Sequence, residues 1–558
     1  MVEEIIPALK WIRSYRRSDL KGDILAGLTV AIMLVPQGMA YAMLAGLPPV
    51  TGLYASTIPI VIYALFGSSR HLSVGPVAVV SLLVFAAGSK IAQAGSEEYI
   101  TVILLLTLMV GLIQFLLGIL RLGFLVNFVS EAVISGYTSA AALIIWSSQL
   151  KHLLGLKLSG AHSFFHTLIE VVQHISQTNL ITLAIGLVSV ILLIVLRKKF
   201  PLFPASILIV IGSALLIYLL DLHKFGVQTV GTVPRGLPSF SIPGFGFKSI
   251  ISLLPTAMTI SFVAYMESIS IAKFIAARQK YKVDPNQELR AIGLANVVSA
   301  FFSAYTVTGG FSRTAVNYQA GARTPLASVV TAVLVTLTLL FLTPLFFHLP
   351  NAVLAAIITV AVLGLIEFKE AKYFLKVKKS NGFALLVTFI ITLAFGVVKG
   401  ILAGVGFSLL LFIWRSSHPH TAELGYLEDE DVFRDVKRYP KAKTYPNVLI
   451  LRVDASLYFA NMKFLDDFLR KSIEEKPAVK WVVFDLSGVN DMDAVAAHTL
   501  EDIMADYSGR GIGFLFADMK GPVRDLVNRA GWSEKYDKHI NYFSIHHALR
   551  DMGVLEGG

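Results

Sequence analysis

Apolar residues come in long blocks separated by short polar breaks over most of the chain. The blocks fall near 24–45, 52–66, 76–88, 99–120, 124–146, 179–196, 203–220, 250–276, 286–304, 311–321, 325–346, 350–366, 381–397 and 399–415. A hydrocarbon core of roughly 30 Å takes about 20 apolar residues per helix. The pattern therefore predicts a polytopic α-helical membrane protein of about fourteen helices, two of them short. Two blocks are interrupted: SVGPVAVVSLL, Ser73 to Leu83, and YTVTGGFSRTAVN, Tyr305 to Asn317. Gly/Pro breaks at corresponding places in two halves of a membrane chain point to a transporter's midplane site. Pro36 and Glu267 are roughly 230 residues apart, and Gly75 and Gly309 are separated by nearly the same interval. Seven helices per half would give the halves opposite topology, so the spacing predicts a 7+7 inverted repeat.

The pattern changes after Trp414. Charges crowd into RDVKRYPKAKTYP before VLILRVDASLYFA, a run rich in β-branched and aromatic residues. Strand-like runs at 447–453, 480–486 and 512–517 alternate with helical patterns at 461–475, 494–508 and 522–530, which predicts a small sheet with helical crossovers. The expected organisation is a cytoplasmic N-terminus over 1–22, a transmembrane domain over 23–418 with repeats at about 23–221 and 248–416, a linker over 419–440, and an α/β domain over 441–558.

Composition agrees. The chain has 558 residues, 55% of them hydrophobic and 15% charged, and a mean hydropathy of +0.69; a soluble domain of that apolarity would expose large sticky patches. The formal charge of +11 sits mostly in short loops, where it sets topology and does not argue for nucleic acid. Arg13, Arg16, Arg17 and Lys21 precede the first block; Arg197, Lys198 and Lys199 follow the sixth; Arg278, Lys280 and Lys282 follow the eighth; Lys376, Lys378 and Lys379 follow the twelfth. All fall on one side, which predicts cytoplasmic termini. There is no cysteine, hence no disulfide and no thiolate chemistry. Neither an HExxH-type metal spacing nor a nucleophile triad occurs, so neither an enzyme nor a cofactor is expected.

A helix that begins inside the bilayer aims unpaired N–H groups and a positive dipole end at one spot, where an anion can lose its water. Arg313, in the second break, adds a full charge; its alternative role is a structural pair with a carboxylate such as Glu267. Glu267 lies mid-block, where an ionisable group is costly and functional by default, and a desolvated carboxyl is suited to exchanging a proton during transport. Sodium would need further oxygen ligands, and Ser268, Ser270, Thr306 and Thr308 qualify only if the fold brings them round. Gln37 and Tyr41, four apart on one helix face, can hydrogen-bond an oxyanion from the opposite side. Phe311 and Val77 are expected to form apolar walls.

At these residues the chain resembles the SulP family, the sulfate permeases and related anion transporters. The resemblance is carried by VPQGMAYAMLAGLPPVTGLYAS, by SVGP, and by VDPNQELRAIGLANVVSAFFSAYTVTGGFSRTAVN. It implies uracil-transporter-like core and gate domains, elevator-type movement, and a cytoplasmic STAS domain supporting a homodimer in the plasma (inner) membrane. By the same resemblance Gln37, Tyr41, Pro76, Val77, Gly310, Phe311, Ser312 and Arg313 line the anion site, while Glu267 and Thr308 serve the coupling ion. Sodium-coupled bicarbonate members place an aspartate at the Glu267 position and a hydroxyl one turn on, where this chain has Ile271, so a proton is favoured. In STAS proteins of sporulation signalling a phosphorylatable serine opens the helix after the second core strand; here Ala494 and Val495 stand there, which argues against a phosphoswitch. The reading is thus a secondary active transporter of an inorganic oxyanion, sulfate first, with bicarbonate or a C4-dicarboxylate as alternatives. An exchanger or channel of the same fold, and a membrane-anchored sensor with STAS as output, are the other classes.

Overall fold

The computed structural model describes residues 6–124, 130–158, 164–200, 205–244, 246–366 and 368–555. The chain divides into two compact units, Met1–Ser408 and Leu409–Gly558.

Each of the fourteen apolar blocks carries a helix, the last of them running past the end of the first unit. In chain order the helices are α1 (Ala8–Arg13), α2 (Arg17–Leu44), α3 (Pro49–Tyr54), α4 (Ile58–Phe66), α5 (Ala78–Gly88), α6 (Glu97–Ile119), α7 (Glu131–Leu154), α8 (Phe164–Gln173), α9 (Leu180–Lys199), α10 (Ala205–Leu220), α11 (Phe247–Arg278), α12 (Pro285–Phe301), α13 (Phe311–Gln319), α14 (Leu326–Leu337), α15 (Asn351–Leu363), α16 (Phe368–Val377), α17 (Lys379–Phe395) and α18 (Val397–Ser417). Among the described residues seven helical stretches are long and apolar enough to cross a membrane, and four shorter apolar helices accompany them. The block at 52–66 splits into α3 and α4, and the block at 325–346 runs from α14 into a π turn, Thr338–Leu342, and a 3-10 turn. Some starts carry a polar signal: Asp284 caps α12 by accepting from the N–H of Asn286 and Gln287, with Pro285 at the first helical position. Where helices cross closely a side chain is excluded. A Cβ on Gly111 of α6 would lie 2.5 Å from the Val297 nitrogen, and one on Gly293 of α12 would lie 2.5 Å from that of Phe115, the small-residue packing that replaces a hydrophobic drive in lipid.

Two short strands join the halves. β1 (Val74–Gly75) pairs antiparallel with β2 (Thr308–Gly309), Val74 opposite Gly309 and Gly75 opposite Thr308. Because the strands run in opposite directions, α5 and α13 leave the ribbon in opposite directions too.

The second unit holds five strands, β3 (Thr421–Leu427), β4 (Val432–Asp435), β5 (Val448–Val453), β6 (Trp481–Asp485) and β7 (Gly513–Ala517), in one sheet ordered β4-β3-β5-β6-β7. β5, β6 and β7 are parallel and lie where the sequence pattern puts them, with α19 (Met462–Glu474), α20 (Ala494–Ser508) and α21 (Gly521–Arg529) as the helical segments after them. Their side chains alternate: Leu449, Leu451, Phe484 and Phe516 pack under Leu465, Leu469, Leu500 and Trp532, while Val448, Ile450, Val483 and Leu515 pack under Ile545 and Leu549. The expected linker over 419–440 is corrected: β3 and β4 form an antiparallel hairpin, and β3 pairs antiparallel with β5. Alternation explains it, since Ala422 and Leu424 face the core while Thr421 and Glu423 point away. α20 begins at Ala494 behind Asp493, whose side chain accepts from the Ala496 N–H at 2.7 Å.

Candidate functional site

The two sequence breaks meet. Beyond the β1–β2 ribbon, the Gly310 N–H donates to the Ser73 carbonyl at 3.0 Å, the Ser73 N–H donates to Thr314 Oγ1 at 3.0 Å, and Asn317 Nδ2 donates to the His71 carbonyl at 2.8 Å. α5 starts at Ala78 behind Val77 and α13 at Phe311 behind Gly310, and neither start receives a side-chain cap. Two first turns of orphan N–H groups, with their positive dipole ends, therefore open beside one ribbon.

Arg313 lies among them, 1% exposed. Its Nη1 donates to the Pro76 carbonyl at 2.6 Å, while Nε and Nη2 are buried with no acceptor among the described residues. Two glycines give it room: a Cβ on Gly310 would stand 2.8 Å from Nη2, and one on Gly75 would stand 3.3 Å away. Tyr41, Tyr305 and Glu267 are within electrostatic reach of the guanidinium, yet among the described residues neither Arg313 nor Glu267 enters an ion pair. Gln37 is buried with Oε1 unpartnered, and Tyr41, one turn on, is buried too.

The remaining expected residues fall out unequally. Thr308 does come round to α11: its hydroxyl donates to the Ala264 carbonyl at 2.6 Å and lies 2.7 Å from Ser268 Oγ, which accepts the Gly309 N–H. These contacts bracket Glu267, whose Oε2 is buried without a partner. Thr306 turns elsewhere, to Thr107 Oγ1 at 3.1 Å, and Ser270 is exposed. Val77 is buried, and the Phe311 ring at the start of α13 is 60% exposed, with the Phe274 ring centred 6.5 Å away. Glu131 opens α7 and so sits at a helix end.

Several residues escaped the sequence pattern. Tyr305 bonds Ser81 Oγ at 3.1 Å, tying the second break to α5, and Tyr137 of α7 lies within electrostatic reach of Glu267. Asn296 clamps residue 307 at both ends, accepting the Val307 N–H at 2.7 Å and donating to its carbonyl at 3.1 Å. Glu288, fully buried, accepts from Tyr63 Oη, the Ser68 N–H and hydroxyl, and the Ser69 N–H at 2.7–3.0 Å. It holds the approach to β1 as Asn296 holds β2. Asn296 carries no local signal, whereas the buried acid stands in DPNQELR, where its neighbours mark a helix start.

Residues 20–388 match the Sulfate permease family and residues 439–544 the STAS domain. The chain is 38% identical over 569 residues to sulfate transporter 4.1, chloroplastic, of Arabidopsis thaliana, covering 98% of this chain and 82% of that protein. It is 34% identical over 539 residues to probable sulfate transporter MT1781 of Mycobacterium tuberculosis (strain CDC 1551 / Oshkosh), covering 96% of each. The solved structure of the murine Slc26a9 anion transporter in its inward-facing state superposes with a TM-score of 0.91 at 25% identity, over 99% of this chain and 95% of that one. The transmembrane domain of a cyanobacterium bicarbonate transporter, BicA, shares the fold at a TM-score of 0.63 and 23% identity, over 69% and 98% of the two chains.

Proposed function

The chain belongs to the sulfate permease family, and from that premise we propose that it is a secondary active transporter carrying an inorganic oxyanion, sulfate first, at the junction of α5, α13 and Arg313. The observation that carries the reading is the guanidinium: a buried cation with two nitrogens lacking acceptors, beside two uncapped helix starts. Buried donors without acceptors are rare, and an oxyanion supplies several acceptors at once in charge-assisted bonds. Gln37 and Tyr41 face the same anion from α2, and Pro76, Val77, Gly310 and Ser312 shape the two starts. Glu267, bracketed by Thr308 and Ser268, takes and releases the coupling proton. Elevator-type movement and cytoplasmic termini are part of the reading, supported by the family and by the basic loops. Relatives named as sulfate transporters support sulfate over bicarbonate.

Uptake into proteoliposomes tests it, with a panel of labelled anions and with proton or sodium gradients imposed in turn. Arg313→Ala removes two charge-assisted bonds worth about 1.5–3 kcal/mol each, so sulfate uptake is expected to fall by at least roughly 100-fold. Native sulfate uptake in the Arg313→Ala protein, or a panel in which no oxyanion moves, overturns the proposal.

A further inference from the structure

A cavity of about 640 Å³ opens where α2 and α5 end. Its floor includes Leu44, one turn past Tyr41, and Leu82, which is four residues or ~6 Å along α5 from the helix start. Its other walls come from α7, α8, α11, α15 and the turn between α17 and α18. Lys90, Lys151 and Lys399 line it against a single carboxylate, Glu170. Lys151 is within electrostatic reach of that acid, while Lys90 and Lys399 are exposed, Lys399 Nζ standing 5.7 Å over the Phe395 ring. Ser89 Oγ and Asn351 Oδ1, both in the lining, are buried without partners.

Cations exceed acids three to one around a partly open space whose walls are mostly apolar. Such walls focus the field and raise the local concentration of counter-ions. An ammonium is strongly hydrated and holds an anion as a point charge, without the fixed fork of an arginine, so a ligand gathered by lysines stays loosely held and free to move on. We propose that this cavity is an anion-collecting vestibule: a second, weaker oxyanion site in series with Arg313, built on Lys90, Lys151 and Lys399 and favouring dianions over monoanions because the attraction scales with ligand charge. The inference rests on the carrier reading and specifies where its substrate enters.

The absence of native cysteine makes the test direct. Lys90→Cys, Lys151→Cys and Lys399→Cys are made singly in the full chain, and the KM for labelled sulfate is measured at low and physiological ionic strength. Each loss of charge is expected to raise KM about 3- to 10-fold at low ionic strength and to flatten its dependence on salt, with kcat changing less than KM. A methanethiosulfonate reagent carrying an ammonium group restores the charge and the KM, while one carrying a sulfonate raises KM further. Native KM in all three variants, or equal responses to the two reagents after labelling is verified by mass, overturns the vestibule. That result alongside an inactive Arg313→Ala protein leaves the carrier reading standing; native transport by Arg313→Ala removes the carrier reading itself.

Discussion

A full charge inside a membrane protein persists only if something repays its dehydration, and Arg313 and Glu267 meet that demand in opposite ways. The guanidinium has one carbonyl from the protein and leaves two nitrogens for a ligand. Among the described residues Glu267 has no cationic partner in contact and one oxygen with no donor, so a proton is the economical occupant. Glu267→Gln keeps the shape and removes the titration. We expect the variant to bind sulfate within about threefold of native while its uptake ceases to follow an imposed pH gradient, since the shift corresponds to less than ~1 kcal/mol. Uptake that still rises steeply with acid outside counts against Glu267 as the proton carrier. Both residues were legible in the sequence because a charge stands out in an apolar block. Tyr305 and Tyr137 were not, since an aromatic residue in such a block reads as ordinary packing. Asp23 was not, lying at the edge of its block; it is fully buried and accepts from the Arg323 and Thr324 N–H groups and the Thr324 hydroxyl.

At the scale of elements, two strands of two residues each carry the site, and clamps from α12 hold them. Gly310 separates the ribbon from α13 with φ −100° and ψ 128°, a conformation open to any residue. Gly310→Ala therefore adds no backbone strain, and its one effect is a methyl 2.8 Å from Arg313 Nη2. The guanidinium has to move, and the KM for sulfate is expected to rise roughly tenfold, about 1.4 kcal/mol, with thermal stability in detergent unchanged. Gly364→Ala, whose new methyl meets nothing closer than 3.5 Å, is the control. A Gly310→Ala protein with native KM, or one that loses KM and melting temperature together, counts against a specific push on Arg313. The breaks themselves were readable because Gly and Pro punctuate apolar sequence. Their pairing was not, because it joins residues more than 230 positions apart through Asn296 and Glu288. The β3–β4 hairpin went unread for a different reason: its core-facing residues are few and interleaved with charge, a pattern that a polar linker shares.

For the whole molecule the question is which way each half faces. β1 and β2 are antiparallel, so α5 and α13 point their starts at one region from opposite sides, which requires the two halves to be inverted in the membrane. The weak points of that topology are α9 and α10, apolar helices shorter than the long spans; if the pair dips into the bilayer and returns, the basic end of α9 changes sides. The shortfall can be absorbed by tilt or local thinning, and the charge pattern favours crossing, since Lys198 and Lys199 then join Lys280 and Lys282 on the basic side. Three exposed positions separate the alternatives: Gln177 before α9, Lys199 at its end, and Lys282 after α11. With no native cysteine, each can be changed singly to cysteine and probed with a membrane-impermeant thiol reagent in sealed cells and in inverted vesicles. Gln177→Cys is expected to react from outside, and Lys199→Cys and Lys282→Cys only in inverted vesicles. Reaction of Lys199→Cys from outside together with Gln177→Cys would mean that α9 does not cross. The inverted repeat would then lose two spans from its first half.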